Sequence, residues 1–206
     1  MESDLLTQLG SLYNTDKATH HKFTKFYDEH LHSVRGNIEN ILEIGVEQGA
    51  SLLMWRDYCP NAQIHGLDIH DRSYCNTERI KTDICDQNNH ESLISTLPQI
   101  NNRFDIIIDD GGHTMRQQQI TLGVLFPLLI PRGYYILEDL HTSFIPYYID
   151  GDCQVTTYNM LNNFTNTGIQ SNYMSPAEIV YLNTHIETVT LWKYQDSITS
   201  IIRKKF

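Results

Sequence analysis

From residue 38 onward, short isoleucine-rich runs alternate with stretches of helical spacing. The runs cover 38–44, closed by Gly45, then 62–68, 79–85, 104–109 and 133–138. Runs of this length that close at acids or glycines suit strands buried on both faces of a parallel sheet. Between them, 51–58 places Leu52, Trp55 and Tyr58 toward one side, and 91–97 gives a shorter helix. The segment 114–129 is the clearest helix, with Ile120, Val124, Leu125 and Leu128 on one face. Thr114 and Gln117 have the spacing of a capping box, and Pro127 stops or kinks the far end.

Near the end of the chain the rhythm changes. Ser175-Pro176-Ala177-Glu178 combines a cap, a proline at the first helical position and a reciprocal glutamate. Two strand-like runs follow, 186–192 and 197–203, close enough to pair as an antiparallel hairpin. The expected architecture is α/β: a Rossmann-like mixed seven-stranded sheet, five strands parallel plus the hairpin, with helices on both faces. Residues 1–37 read as helix and loop, with Phe23, Phe26, Tyr27 and Leu31 as their apolar face. Residues 141–174, rich in Asn, Thr and Tyr, read as a substrate-facing insertion, helical around 158–164. All 206 residues are expected to form a single domain.

The pattern also places chemistry. Gly45 and Gly49 directly follow the first strand and allow a tight turn with close approach of a ligand to the backbone. Asp68 ends the second strand, where an acid commonly holds ribose hydroxyls. A dinucleotide fingerprint would read Gly-x-Gly-x-x-Gly; here the spacing is Gly-x-x-x-Gly, flanked by Glu43 and Glu47. Carboxylates repel a pyrophosphate but favour an amino group and a sulfonium, so S-adenosylmethionine is the preferred ligand.

Asp109-Asp110-Gly111-Gly112-His113 ends the fourth strand and Glu138-Asp139-Leu140-His141 the fifth. Neighbouring strands would bring Asp110, Glu138 and Asp139 together, and three facing carboxylates call for a cation. Hard oxygen ligands point to Mg²⁺ rather than zinc. His113, three residues beyond Asp110, is the candidate general base for an alcohol. His141 reads as a contact to substrate or to the metal loop. Neither Cys153 nor any serine sits in a recognisable nucleophile elbow.

Composition narrows the picture further. The formal charge is -10 and the only basic cluster is Arg203-Lys204-Lys205, which disfavours nucleic acid and anionic membrane as partners. No apolar stretch is long enough to span a bilayer, and Met1-Glu2-Ser3-Asp4 lacks the look of a signal peptide. Cys59, Cys75, Cys85 and Cys153 include no close pair, so the reducing cytoplasm is expected. Charged residues make up only 19%, a low share that none of these features explains.

Taken together, Leu12-Tyr13-Asn14-Thr15-Asp16-Lys17 with His21 and Tyr27, Glu43-Ile44-Gly45, Gly49-Ala50-Ser51, Leu67-Asp68-Ile69, Cys85-Asp86-Gln87 and the two acidic blocks carry a resemblance. The chain resembles the catalytic domain of class I, metal-dependent, S-adenosylmethionine-dependent O-methyltransferases that act on sugars of macrolides and related natural products. The resemblance implies Asp110, Glu138 and Asp139 as ligands of Mg²⁺, His113 as base and Asp68 at the ribose. It implies Asp86 and Gln87 beside the adenine in preference to Asp83, and Glu43, Gly45 and Ser51 at the methionine end. Thr15 and Lys17 would fold over the cofactor.

The sequence departs from the family pattern where Cys85 and Gly112 replace a glycine and a frequent serine. The large extra N-terminal domain of some members is not expected here. The expected partner is a small hydroxylated molecule, a sugar, polyol or polyketide-type product. The chain could work alone, as a homo-oligomer or in a larger biosynthetic assembly. A catechol or other phenol is the rival substrate, and a non-catalytic S-adenosylmethionine-binding module the rival role. An iron oxygenase would need a two-histidine, one-carboxylate set, which Asp110, His113 and His141 imitate; the adenosine-site signals argue against it.

Overall fold

The computed structural model describes residues 4–100 and 103–206. The first residues of the 1–37 segment, and with them most of the chain start weighed above as a leader, lie outside it. Seven strands form one sheet in the order β3-β2-β1-β4-β5-β7-β6. They are β1 (Asn40–Ile44), β2 (Gln63–Asp68), β3 (Ile80–Ile84), β4 (Phe104–Asp109), β5 (Leu129–Leu137), β6 (Ile186–Tyr194) and β7 (Ser197–Lys204). The first five are parallel; β7 runs antiparallel to both β5 and β6. The expected mixed sheet with its C-terminal hairpin is what forms.

Alternation along the strands divides the core into two layers. Ile41, Ile64, Ile106, Ile108, Ile136 and Ile201 face one side. That side is covered by α1 (Leu5–Leu12), α2 (Asp16–Thr19), α3 (Phe23–Leu31) and α4 (Ala50–Tyr58). Leu42, Leu67, Ile107, Tyr135, Leu137 and Ile202 face the other. It is covered by α5 (His90–Thr96), α6 (Met115–Leu125), α7 (Thr157–Asn162), α8 (Phe164–Thr167) and α9 (Pro176–His185). A sheet covered on both faces explains why its strands read as nearly continuous apolar runs. Phe23, Phe26, Tyr27 and Leu31 are all buried, as their spacing implies.

Both capping boxes form: Thr114 with Gln117 opens α6, and Ser175 with Glu178 opens α9. Two boundaries differ from the pattern. The helix expected over 114–129 with a stop or kink at Pro127 ends as α-helix at Leu125 and tightens into a 3₁₀ turn over Phe126–Leu128, because Pro127 lacks the N–H to continue it. β5 begins four residues before the expected Gly133 and runs through Pro131 and the left-handed Arg132, with a register shift against β4. A bulge accommodates a proline that an unbroken ladder would exclude. Segment 141–174 is a chain of short 3₁₀ turns and helices, including α7 and α8.

Register then determines the functional end. Ile44 pairs with Leu67 and with Asp109, and Asp109 pairs with Leu137. Gly45, Asp68, Asp110 and Glu138 therefore leave the sheet on one rung, at the carboxyl ends of four strands. The strand order reverses between β1 and β4, which is where open α/β sheets hold ligands.

Candidate active site

A cavity of about 600 Å³ opens at this reversal point. One side is the turn after β1. Gly45 adopts φ +88° and Gly49 φ +82°, left-handed conformations that favour glycine. A Cβ on Gly45 would run into the backbone carbonyl of Asp110, so the turn and the reactive loop pack backbone to backbone.

Asp68 holds this turn in place. Its Oδ2 accepts the N–H groups of Val46 at 3.0 Å and Glu47 at 3.1 Å, with Arg72 Nε at 3.2 Å. Its Oδ1 accepts the N–H of His70 at 2.9 Å. Burial would raise its pKa, but these donors outweigh burial and hold the carboxyl below its usual range. Asp68 lines the cavity, and Oδ1 keeps capacity for one more donor.

Gln87 and Asp86 also line the cavity, at the end of β3. The Gln87 amide is engaged on the protein: Nε2 donates to Asp109 Oδ1 at 2.7 Å and Thr121 Oγ1 at 3.1 Å, and Oε1 accepts the N–H of Gly112 at 2.8 Å. It props the reactive loop from behind. Asp86 Oδ1 accepts the N–H of Asn88. Asp83 lies within β3, facing His65 at 3.3 Å. Ser51 and Gly45 line the cavity, as do Thr15 and Lys17. Glu43 does not; it is fully buried beneath the cavity floor.

On the opposite side, Asp110, His113 and Asp139 bring one ligand atom each to within 4.8 Å of one another. His113 Nε2 lies 3.3 Å from Asp139 Oδ2. Thr142 ties their loops together: its Oγ1 contacts the carbonyls of His113 at 3.0 Å and Asp139 at 2.8 Å. His141 Nδ1 lies 3.8 Å and His21 Nε2 3.9 Å from Asp139 Oδ1, so three imidazoles surround one carboxylate.

Glu138 turns inward instead. Its Oε2 pairs with Lys17 Nζ at 3.1 Å, and Oε1 has no hydrogen-bond partner among the described residues. The same ammonium pairs with Asp110 Oδ2 and lies 3.3 Å from Glu43 Oε1. Burial and neighbouring acids raise the pKa of Glu138 well above normal, and burial brings Glu43 to about 7. For Lys17, burial alone would lower its pKa, but Asp110, Glu138 and Glu43 together raise it well above its usual value. It is the cation of a buried charge cluster.

Lys17 and His21 carry no local signal of their role in the sequence. They come from the short helix α2 and the loop after it, where no periodicity marks a polar residue as buried. The family resemblance alone pointed to Lys17.

The carboxylates of Asp110 and Asp139, with the His113 imidazole beside them, fit a divalent cation, and Oδ1 of Asp139 and Oε1 of Glu138, which have no hydrogen-bond partner among the described residues, leave room for more oxygen ligation.

The sheet order, the glycine turn and the acids on the next rung define a class I methyltransferase fold. The chain is homologous to class I S-adenosylmethionine-dependent O-methyltransferases that modify macrolide sugars. Residues 42–140 match a family described as a methyltransferase domain. The mycinamicin VI 2''-O-methyltransferase of Micromonospora griseorubida is 39% identical over an alignment of 149 residues that covers 68% of this chain and 37% of that protein. The demethylmacrocin O-methyltransferase of Streptomyces fradiae is 37% identical, over 68% of this chain and 38% of its own. The structure of the MycE methyltransferase of mycinamycin biosynthesis, solved with Mg, SAH and mycinamycin VI, superposes with a TM-score of 0.79 at 32% identity. It covers 97% of this chain and 54% of that one. The chain thus spans about two fifths of the length of the curated relatives it matches.

Proposed function

We propose that the protein transfers a methyl group from S-adenosylmethionine to a hydroxyl of a sugar, polyol or polyketide-type natural product, assisted by Mg²⁺. The observation that carries this reading is the gathering of Asp110, His113 and Asp139 beside the glycine-turn cavity. The activities of its relatives, O-methylation of mycinamicin VI and demethylmacrocin, favour a hydroxyl on a glycosylated natural product.

In this reading the glycine turn, Ser51 and Asp86 receive the cofactor, and Asp68 orders the turn while offering Oδ1 to a ribose hydroxyl. Residues 4–37 close over the cofactor through Thr15, and 141–174 face the acceptor. Asp110 and Asp139, with Glu138 behind them, would hold the divalent ion; when bound, it lowers the pKa of the acceptor hydroxyl. His113 takes the hydroxyl proton, and the Asp139 carboxylate, 3.3 Å from its Nε2, stabilises the imidazolium that results. Among the described residues, no helix is long and apolar enough to cross a membrane.

The test is a panel of glycosylated and phenolic acceptors with isotope-labelled cofactor, followed by mass analysis of the product. Label incorporated into a sugar hydroxyl supports the reading. Preference for catechols, or full activity after EDTA treatment, overturns its substrate or its metal part respectively.

A further inference from the structure

Three carboxylates from three separate strand ends converge on one side chain. Glu43 lies on β1, Asp110 follows β4 and Glu138 follows β5, yet oxygens from all three surround Lys17 Nζ. The lysine is completely buried, and Glu43 has no hydrogen-bond partner for either oxygen among the described residues. Oxygens gathered around a single positive centre, with little else to satisfy them, make up a cation site. The ammonium occupies it.

We propose that Lys17 is a resident cation that competes with divalent metal for Asp110 and Glu138, restricting the four-carboxylate cluster to one ion and loosening its hold on that ion. The inference rests on the metal reading above and deepens it. With Asp139 the cluster holds four carboxylates, enough ligands for two divalent ions. The ammonium takes the inner position, holding Glu138 and sharing Asp110 with the outer one. A nearby positive charge opposes a second cation by direct repulsion, most strongly where water is excluded. Lys17 thus acts as a positioning residue, set apart from the reacting atoms.

The decisive measurement is Mn²⁺ binding, by equilibrium dialysis with free Mn²⁺ counted by electron paramagnetic resonance. It is made on the full chain and on Lys17→Met. The expected result is one ion for the wild type. The variant should bind a second ion, or bind the first at least tenfold more tightly. Damage to a merely structural residue would weaken binding, the opposite direction. Unchanged or weaker binding by Lys17→Met overturns the proposal.

Should that variant not accumulate folded, Lys17→Met combined with Glu43→Gln removes the ammonium together with one carboxylate, and the same gain in affinity is expected. If both variants stay unfolded even in saturating Mn²⁺, Lys17 is a folding strut and the proposal is overturned. The two readings fail separately. A wild type that binds no Mn²⁺, beside a Lys17→Met that does, sinks the metal requirement but supports Lys17 as the competing cation.

Discussion

His113 Nε2 lies 3.3 Å from Asp139 Oδ2, and both residues hold left-handed backbone, at φ 62° and 54°. Non-glycine residues in that region cost on the order of 1 kcal/mol each, and they persist where the surroundings over-determine them. Here Thr142 bonds the carbonyls of both, and the capping box of α6 begins one residue after His113. The pair is held as a unit, with the imidazole aimed at the carboxylate.

Replacing His113 by alanine removes the base and leaves the fold. We expect methyl transfer at saturating metal and cofactor to fall by about 10²–10⁴-fold. Single-turnover rates with a reactive acceptor check this, and an unchanged rate would remove His113 from the chemistry.

Gly45→Ala should be one of the most damaging small substitutions. It places a Cβ at φ +88° and against the Asp110 carbonyl. Left-handed strain and overpacking together suggest a loss of about 3 kcal/mol. Urea unfolding measures it, and a loss below about 1 kcal/mol would show that the turn yields easily.

Asp68→Asn turns its NH2 either toward the N–H groups of Val46 and Glu47 or toward that of His70, setting donor against donor whichever way the amide flips. We expect a stability loss of about 2 kcal/mol. Cofactor affinity should fall at least tenfold, measured by calorimetric titration of S-adenosylhomocysteine. Affinity equal to that of the wild type would show that the turn orders itself without the carboxylate.

Acid sensitivity has a definite sign at the contact between α5 and α9. Burial would raise the pKa of Glu178, but His90 at 2.9 Å and the Ser175 cap outweigh it and keep the pKa below normal. A carboxyl with a lowered folded pKa binds protons less readily in the native state than in the unfolded chain. Its stabilisation is present in full above the unfolded value of about 4.5 and is lost as pH falls through the folded one. Urea midpoints between pH 3 and 7 should drop more steeply in the wild type than in Glu178→Gln. Equal slopes would remove Glu178 as a source of the acid sensitivity.

The seven strands, both capped helices and the acids at the strand ends were legible in the sequence. Each is written locally: alternation of apolar residues, a cap three residues before its partner, an acid closing an isoleucine run. Because parallel pairing carries those strand ends to one rung, the sequence alone puts Gly45, Asp68, Asp110 and Glu138 at one end of the sheet. How the carboxylates divide between a cavity and a buried ammonium had no such local signal. Lys17 reaches Asp110 and Glu138 across 93 and 121 positions of chain. Whether a lysine is solvated or buried depends on what long-range packing sets around it. Gln87 likewise shows as a polar residue after a strand, and only the packed structure reveals its amide committed to Asp109, Thr121 and Gly112. The sequence by itself determined the sheet and the set of acids at its functional end. The tertiary structure decided which of them face the cavity and which face Lys17, because charge pairing depends on distance and burial, which local pattern does not encode.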